Sequence, residues 1–368
     1  MSAGRDIAPG TRALVRRGRL MCLLLLIAVI VAAFGAMLIE THGLKQGERL
    51  DAGAVLRIVG SRVPLVGRAI DVSDIHRNDV RRVLNLRLPR VLLAVVVGAG
   101  LAVAGAVMQS FFQNPMAEPY LLGSASGAAL GAAVAFTMGL VTAGARSVLG
   151  LGAQSWFAFC GAVGVTFLVY ALARRGGRTN TAVLLLTGIA VGTFAGGLAY
   201  LIMFLSAEQH IAQILAWVMG TLNNRGWNEF MVAAGATVVG VAVVRVFARD
   251  LNVMLMGAET AQHLGVHVER TRLVLLVIAS LLTAVAVAAV GILGFVGLVV
   301  PHVMRLVVGP DHRTLIPASV LGGALLVLGA DAAVKAFFAE RVPLGVLTML
   351  VGCPFFVLLL TRREKTFI

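Results

Sequence analysis

The sequence predicts an all-α protein that crosses a lipid bilayer ten times, and its composition is the first reason. Of its 368 residues, 59% are hydrophobic and only 13% are charged, whereas about half and about a quarter are usual in soluble domains. Apolar blocks of about 20 residues, the length that a helix needs to cross a hydrocarbon core, recur along the chain. The blocks are continuous and do not alternate residue by residue, which argues against an outer-membrane β-barrel.

Nine apolar blocks are the candidate spans, and one of them is long enough to cross twice. They cover residues 20–39, 88–110, 121–142, 155–173, 182–203, 228–248, 272–308, 315–338 and 343–361. The run 272–308 would be about 55 Å long as one helix, at about 1.5 Å per residue. Because glycine permits the tight backbone of a reversal, we expect the chain to turn back between Gly291 and Gly297, exposed or nearly exposed at the periplasmic side.

Basic residues give the orientation, because those in short loops resist translocation and stay in the cytoplasm. Counted from the N-terminus, the crossings place four basic clusters on the cytoplasmic side: Arg12 to Arg19, Arg174 to Arg178, Arg249 to Arg272, and Arg362 to Lys365. Both termini are therefore predicted to be cytoplasmic. The chain 1–368 is one transmembrane domain, with a cytoplasmic segment 1–19, a periplasmic segment 40–87 and a cytoplasmic segment 249–271.

The two halves of the chain resemble each other in hydropathy. The block from Arg87 to Gly105 has a counterpart from Arg272 to Gly291, and the two are predicted to cross in opposite directions. Inverted repeats of this kind are typical of transporters. We therefore expect an inverted repeat of five plus five spans.

Small residues at every fourth position indicate helices that pack closely. They form two series, in the spans 121–142 and 182–203: Gly123, Gly127, Gly188, Gly192 and Gly196. These faces pack either within the chain or against a second copy or the transport pathway. The segment before the first series interrupts the apolar pattern with Asn114, Pro115 and Glu118. Such an interruption is either a helix boundary or part of a pathway.

The sequence lacks the phosphate loop of an ATP-hydrolysing enzyme. No G-x-x-x-x-G-K occurs, so any ATP would be hydrolysed by another protein. The three cysteines stand alone in apolar blocks, and neither a disulfide nor a metal site is predicted. Asp331 and Lys335 are four residues apart and can pair on one helix face. Charges within spans also occur in ion-coupled carriers, so a secondary ion-coupled transporter is the alternative function.

The cytoplasmic segment 249–271 contains a short helix-forming stretch with an apolar side. It reads Leu255-Met-Gly-Ala-Glu-Thr-Ala-Gln-His-Leu-Gly265, and its last glycine suits a helix C-terminus. An apolar helix in a surface loop indicates either that another protein covers it or that it lies on the lipid surface. The candidate contact residues are Leu255, Gly257, Glu259, Ala261, Leu264 and Gly265.

This stretch resembles the E-A-A-x-x-x-G coupling motif of ABC importer permeases, with Thr260 at the second position. Five further motifs resemble those of the FecCD permeases, ten-span importers of vitamin B12, ferric siderophores and haem. They are Arg87-Leu-Pro-Arg90, Gln113-Asn-Pro-Met-Ala-Glu-Pro119, Leu122-Gly-Ser-Ala-Ser-Gly127, Gly294-Phe-Val-Gly-Leu-Val-Val-Pro-His302 and Pro343-Leu-Gly345. The resemblance runs from about residue 80 to the C-terminus.

The resemblance implies a permease that pairs with a second copy of itself in the bacterial inner membrane. Two cytoplasmic ATPase subunits would use ATP and Mg²⁺, while this chain itself binds no cofactor and no nucleic acid. A periplasmic binding protein would deliver an iron-containing chelate, with haem as the first candidate, then a ferric siderophore or cobalamin. In the family, basic residues at the positions of Arg87, Arg90 and Lys335 receive acidic residues of the binding protein.

Overall fold

The computed structural model describes residues 9–39, 51–62, 67, 70–141, 151–175 and 178–363, and this part of the chain is almost entirely helical. The first half contains α1 (Pro9–Leu38), α2 (Ala52–Gly60), α3 (Arg77–Arg82), α4 (Leu88–Phe111), α5 (Ser124–Thr137), α6 (Ala153–Ala173) and α7 (Thr181–Phe204). The second half contains α8 (Glu208–Val218), α9 (Trp227–Val246), α10 (Ala248–Met254), α11 (Ala258–His263), α12 (Val268–Val290), α13 (Val296–Val308), α14 (His312–Phe338) and α15 (Leu344–Arg363).

Three short elements complete the described fold. A π-helical turn, Val83–Arg87, joins α3 to α4 without a break, and a 3₁₀ turn, Pro119–Leu122, precedes α5. Between α6 and α7, the two-residue strands β1 (Arg174–Arg175) and β2 (Arg178–Thr179) pair antiparallel.

The predicted membrane character is confirmed by the described helices. Seven segments are long and apolar enough to cross a bilayer: Arg17–Leu38, Arg77–Phe111, Ala153–Ala173, Thr181–Phe204, Trp227–Val246, Val268–Val290 and His312–Phe338. Three shorter apolar helices, Ser124–Thr137, Val296–Val308 and Leu344–Leu358, fall on the remaining predicted spans. The chain is therefore a multi-span helical membrane protein.

The long apolar run 272–308 is divided into two helices where the glycines indicated. α12 ends at Val290 and α13 starts at Val296, with positive φ at Gly291 (80°) and Phe295 (66°) between them. The glycines of this turn do not meet the expectation of exposure or near-exposure, because Gly291, Gly294 and Gly297 are all buried, while Ile292 and Phe295 are half-buried. The turn is covered because the backbone of residues 217–220 packs against Gly291 and the backbone of α4 against Gly297.

α4 is the central helix of the described fold, and small residues bring its neighbours close. It packs against α9, α12, α13 and α14. A β-carbon added at Gly98 would lie 2.2 Å from the carbonyl oxygen of Gly323 in α14, and one at Gly105 would lie 1.7 Å from that of Gly297 in α13. Only glycine allows backbones to approach this closely, so α4, α13 and α14 form one tightly packed layer.

Candidate coupling and docking sites

The predicted contact segment forms the two short helices α10 and α11, joined by a glycine turn. Gly257 has a φ of 104°, which separates α11 from α10, and Gly265 has a φ of 83° after α11. The N–H of Val266 donates to the carbonyl of Ala261 at 3.0 Å, and the N–H of Gly265 donates to that of Gln262 at 3.0 Å. This is the Schellman arrangement of a glycine-ended helix, so the predicted helix end at Gly265 is confirmed.

The two sides of α11 have different surroundings. Ala261 is fully buried and packs with Met254 and Val268 in a small core that α10, α11 and the start of α12 share. Leu255 and Leu264 are exposed, and so are Glu259 and Gly265, while Gly257 is half-buried. Ala261 therefore holds α11 against this chain, and the exposed apolar side chains are the ones available to another protein.

Sequence reasoning missed the most exposed apolar side chain of the segment. Met256 is 67% exposed, against 40% for Leu255 and 58% for Leu264. Its position before Gly257 gave no periodic signal, because it lies in the turn and not on a helix face. A neighbouring cleft of about 520 Å³ is lined by Gln262 and by residues 265–270.

The segment is attached to the ends of α4 and α14 by side-chain hydrogen bonds. Gln113, which follows α4, donates its Nε2 to the carbonyl of Met254 at 3.1 Å. The Oδ1 of Asn252 accepts the backbone N–H of His312 at 2.9 Å and lies 2.7 Å from its Nδ1. α10 is therefore hydrogen-bonded directly to a residue that follows α4 and to the first residue of α14.

The three predicted docking cations lie at the opposite end of these helices and are buried in the chain. Arg87 is 7% exposed, Arg90 8% and Lys335 3%. Arg87 donates its Nη1 to the carbonyl of Met37 at the end of α1, at 2.8 Å. Their role in docking stays a prediction, and the structure adds that none of them projects freely from this chain.

Arg90 and Lys335 belong to an ion cluster with two carboxylates. Asp331 lies 2.6 Å from Arg90 and 2.8 Å from Lys335, which confirms the predicted pairing of Asp331 with Lys335 along α14. Asp331 contacts Nη2 of Arg90, and Glu340, just after α14, lies 2.6 Å from Nη1 of the same guanidinium. The side chain of Asp331 is 1% exposed and that of Glu340 is 15% exposed. The cluster holds two positive and two negative groups, so it is neutral as a whole.

The predicted glycine series pack helices within the chain. Gly127 lies against the carbonyl of Gly161 in α6, and Gly188 against that of Leu121 before α5. Gly123, with a φ of 78°, meets the backbone of Gly192, while Gly196 faces Ser126 at the looser distance of 3.7 Å. These contacts join α5, α6 and α7 and agree with internal packing, while a role at a second copy or the transport pathway stays a prediction.

The interrupted segment after α4 contacts the turn between α12 and α13. Glu118 accepts the backbone N–H of Phe295 through Oε1 at 3.0 Å, and the Tyr120 hydroxyl donates to the carbonyl of Leu293 at 3.1 Å. Asn114 and Pro115 lie further from this contact, where the Asn114 carboxamide accepts the N–H of Met116 at 2.9 Å. Two non-helical segments therefore satisfy each other inside the fold, as irregular backbone among spans requires.

Outside the spans, a salt bridge anchors the segment before α3. Arg57 in α2 contacts the carboxylate of Asp74 at 2.6 Å. The hydrogen bond from Arg57 lowers the pKa of the Asp74 carboxyl below its ordinary value of 3.8. The same bond raises the pKa of Arg57, so both groups are charged near neutral pH.

Three permease proteins from other organisms align with this chain over similar lengths. The cobalamin import system permease protein BtuC of Halobacterium salinarum is 47% identical over 279 residues, 76% of this chain and 73% of the relative. The hemin transport system permease protein HmuU of Yersinia pestis is 40% identical over 283 residues, 77% and 84% of the two chains. The Fe(3+) dicitrate transport system permease protein FecC of Escherichia coli is 39% identical over 284 residues, 76% and 83%.

A solved structure shares the fold. It is an ABC transporter assigned to the metal-chelate type in an inward-facing conformation, with a TM-score of 0.73 and 24% identity, over 94% of this chain and 99% of that one. The FecCD transport family itself matches residues 65–362. Because this match covers most of the chain and the relatives above are well over a third identical along it, the chain belongs to the FecCD transport family.

Proposed function

We propose that this chain is the membrane-spanning subunit of an ATP-driven importer that moves a metal chelate from the periplasm to the cytoplasm of a bacterium. The observation that carries the proposal is the segment 249–271 of a member of the FecCD family, in which exposed apolar side chains flank a glycine-ended helix that Ala261 holds against the chain. A partner ATPase covering Met256, Leu255 and Leu264 would supply the energy, using ATP and Mg²⁺. The relatives named above are permease proteins of one import system and two transport systems, and nothing supports the ion-coupled alternative.

The proposed assembly contains two copies of this chain, two ATPase subunits and one binding protein. Seven long and three short apolar helices support ten crossings with both termini in the cytoplasm. In this topology α10 and α11 face the ATPases. The ion cluster of Arg90, Asp331, Lys335 and Glu340 lies at the periplasmic end, near the binding protein.

Haem is the first candidate cargo and cobalamin is the second. The hemin permease of Yersinia pestis supports haem at 40% identity, and the cobalamin permease of Halobacterium salinarum supports cobalamin at 47% identity. Uptake of labelled haem, cyanocobalamin and ferric citrate into proteoliposomes holding the complete complex separates these cargoes. Uptake of cyanocobalamin without uptake of haem would contradict the haem assignment.

The ATPase contact is tested by placing one charge on the exposed apolar surface. Met256→Glu is expected to reduce co-purification of the ATPase at least about tenfold, because an interface that buries this side chain would also bury an unpaired carboxylate. The matched control is Met138→Glu at the end of α5, since Met138 is 66% exposed and lies outside the segment. Equal recovery of the ATPase with both variants would show that residues 249–271 do not bind it.

A further inference from the structure

The imidazole of His312 joins three helices at the cytoplasmic end of the fold. It is fully buried at the first residue of α14. Its Nε2 lies 2.5 Å from the hydroxyl of Ser110 in α4, and its Nδ1 lies 2.7 Å from Oδ1 of Asn252 in α10. One side chain therefore connects the central helix, its closest partner helix and the segment that carries α11.

The hydrogen-bond partners determine which ring nitrogen donates. Asn252 donates its Nδ2 to the carboxylate of Asp311 at 2.6 Å, which accepts only, so the Asn252 oxygen is the atom that faces His312. That oxygen also accepts the backbone N–H of His312. Nδ1 of His312 must then carry the hydrogen, so Nε2 of the neutral ring is an acceptor, and the single hydroxyl hydrogen of Ser110 is shared between Nε2 and the carbonyl of Ala106, 2.8 Å away.

The same bonds connect the two ends of the molecule through one pair of helices. Near α11, Met254 and Ala261 pack together, so a displacement of α11 moves α10. α4 and α14 then run side by side, in backbone contact at Gly98 and Gly323, to the ion pair of Arg90 with Asp331. Tightly packed helices shift as units and do not deform gradually.

We propose that His312 is a positioning residue that fastens the coupling segment to the α4–α14 pair, so that nucleotide-driven movement of α11 changes the binding-protein surface at the far end. The proposal rests on the proposed function, because it takes α11 as the ATPase contact. It assigns to His312 a transmission role, in contact with neither the ATPase nor the cargo.

The expected consequence is a coupling of two binding equilibria, which is reciprocal by thermodynamic necessity. The complete complex is placed in nanodiscs, and the dissociation constant of the ligand-free binding protein is measured without nucleotide and after trapping with ADP and vanadate. For the unmodified complex we expect the two constants to differ at least about fivefold. This ratio does not depend on knowing the cargo.

Three variants cut the connection at different atoms. Ser110→Ala and His312→Asn remove the bond to α4, since asparagine reaches only the position of Nδ1. His312→Gln reaches the position of Nε2 and removes the bond to Asn252. In each variant, the ratio of the two dissociation constants of the binding protein is expected to lie within about twofold of one. The basal rate of ATP hydrolysis is expected to stay within about twofold of that of the unmodified complex. Thr283→Val is the control, because it removes a buried hydroxyl that bonds only to Ala279 of its own helix, at 2.7 Å.

The possible results separate this proposal from the proposed function. An unmodified complex with a ratio of one, or variants that keep the unmodified ratio, would overturn the role of His312. Met256→Glu complexes that still bind the ATPase and keep the full ratio would instead refute the assignment of residues 249–271. Ser110→Ala deletes one oxygen atom and keeps the bond to Asn252, so it gives a result even if the changes at position 312 prevent folding.

Discussion

Alanine at position 98 is expected to force α4 and α14 apart. A β-carbon there would lie 2.2 Å from the carbonyl oxygen of Gly323, whereas ordinary contacts begin at 3.4 Å. The helices would have to separate by the difference, 3.4 − 2.2 = 1.2 Å, and the neighbouring side chain of Val327, 3.0 Å away, leaves little room for it. Overpacking of this kind costs about 1–3 kcal/mol.

The matched control lies on α14 itself. Gly329 has no atom within 4 Å of an added β-carbon, so Gly329→Ala gains the helix preference of alanine, about 0.5–1 kcal/mol. Gly98→Ala gains the same preference inside α4, so the two alanine variants should differ in stability by the overpacking cost alone, about 1–3 kcal/mol. Gly323→Ala is expected to behave like Gly98→Ala, because its β-carbon would lie 2.2 Å from the Gly98 oxygen.

Thermal denaturation in one detergent, followed by the loss of the folded peak in size-exclusion chromatography, measures this difference. Gly98→Ala should denature several degrees below the unmodified protein, and Gly329→Ala at or slightly above it. A Gly98→Ala protein as stable as Gly329→Ala would refute the close backbone contact between α4 and α14. A loss of stability in both variants would show that added volume is not the cause.

Three further predictions concern charged groups. Asp331→Asn removes the carboxylate that Arg90 and Lys335 share, and Glu340 alone then faces two buried cations. We expect this variant to lower the free energy of unfolding by about 3–5 kcal/mol, measured by the same denaturation. Glu340→Gln frees one side of Arg90 for an acidic partner, so the binding protein should associate faster, measured by surface plasmon resonance; slower association would contradict the docking role of Arg90. The bond to Asp74 stabilises its charged form and is lost as pH falls below the ordinary pKa of 3.8, so backbone hydrogen exchange at residues 70–76, corrected for its intrinsic pH dependence, should rise only in that range, and Asp74→Asn should abolish this dependence.

The features that sequence predicts well are those with a local cause. Continuous apolar blocks locate most of the described spans within a few residues, because each helix satisfies its own backbone. The helix end at Gly265 and the pairing of Asp331 with Lys335 follow from neighbours in the chain. The division of the run 272–308 is located for the same reason, since glycine permits the backbone that it needs.

The features that sequence misses depend on residues far apart in the chain. Glu340 is 250 positions from Arg90, so the pattern around Arg90 gave no sign that its guanidinium is buried and paired with two carboxylates. Ala261 resembled a contact residue because small residues suit both an interface and a core. His312 carried no signal, since its partners come from α4 and α10.

The two ends of the α4–α14 pair use different chemistry, and the difference fits their proposed tasks. At the outer end, Glu340 is the more exposed carboxylate of the ion cluster. A carboxylate from a docking protein can replace it on Arg90 without leaving a buried charge unpaired, so this end can exchange partners. At the inner end, His312 bonds to the neutral groups of Ser110 and Asn252, in a buried site where no outside donor or acceptor can replace them. Breaking these bonds would leave buried polar groups unsatisfied, at about 1–3 kcal/mol each. The hydrogen bonds of His312 therefore persist while the ion pair of Arg90 with Glu340 exchanges. Helices that transmit movement from an ATPase to a binding protein require this difference between their two ends.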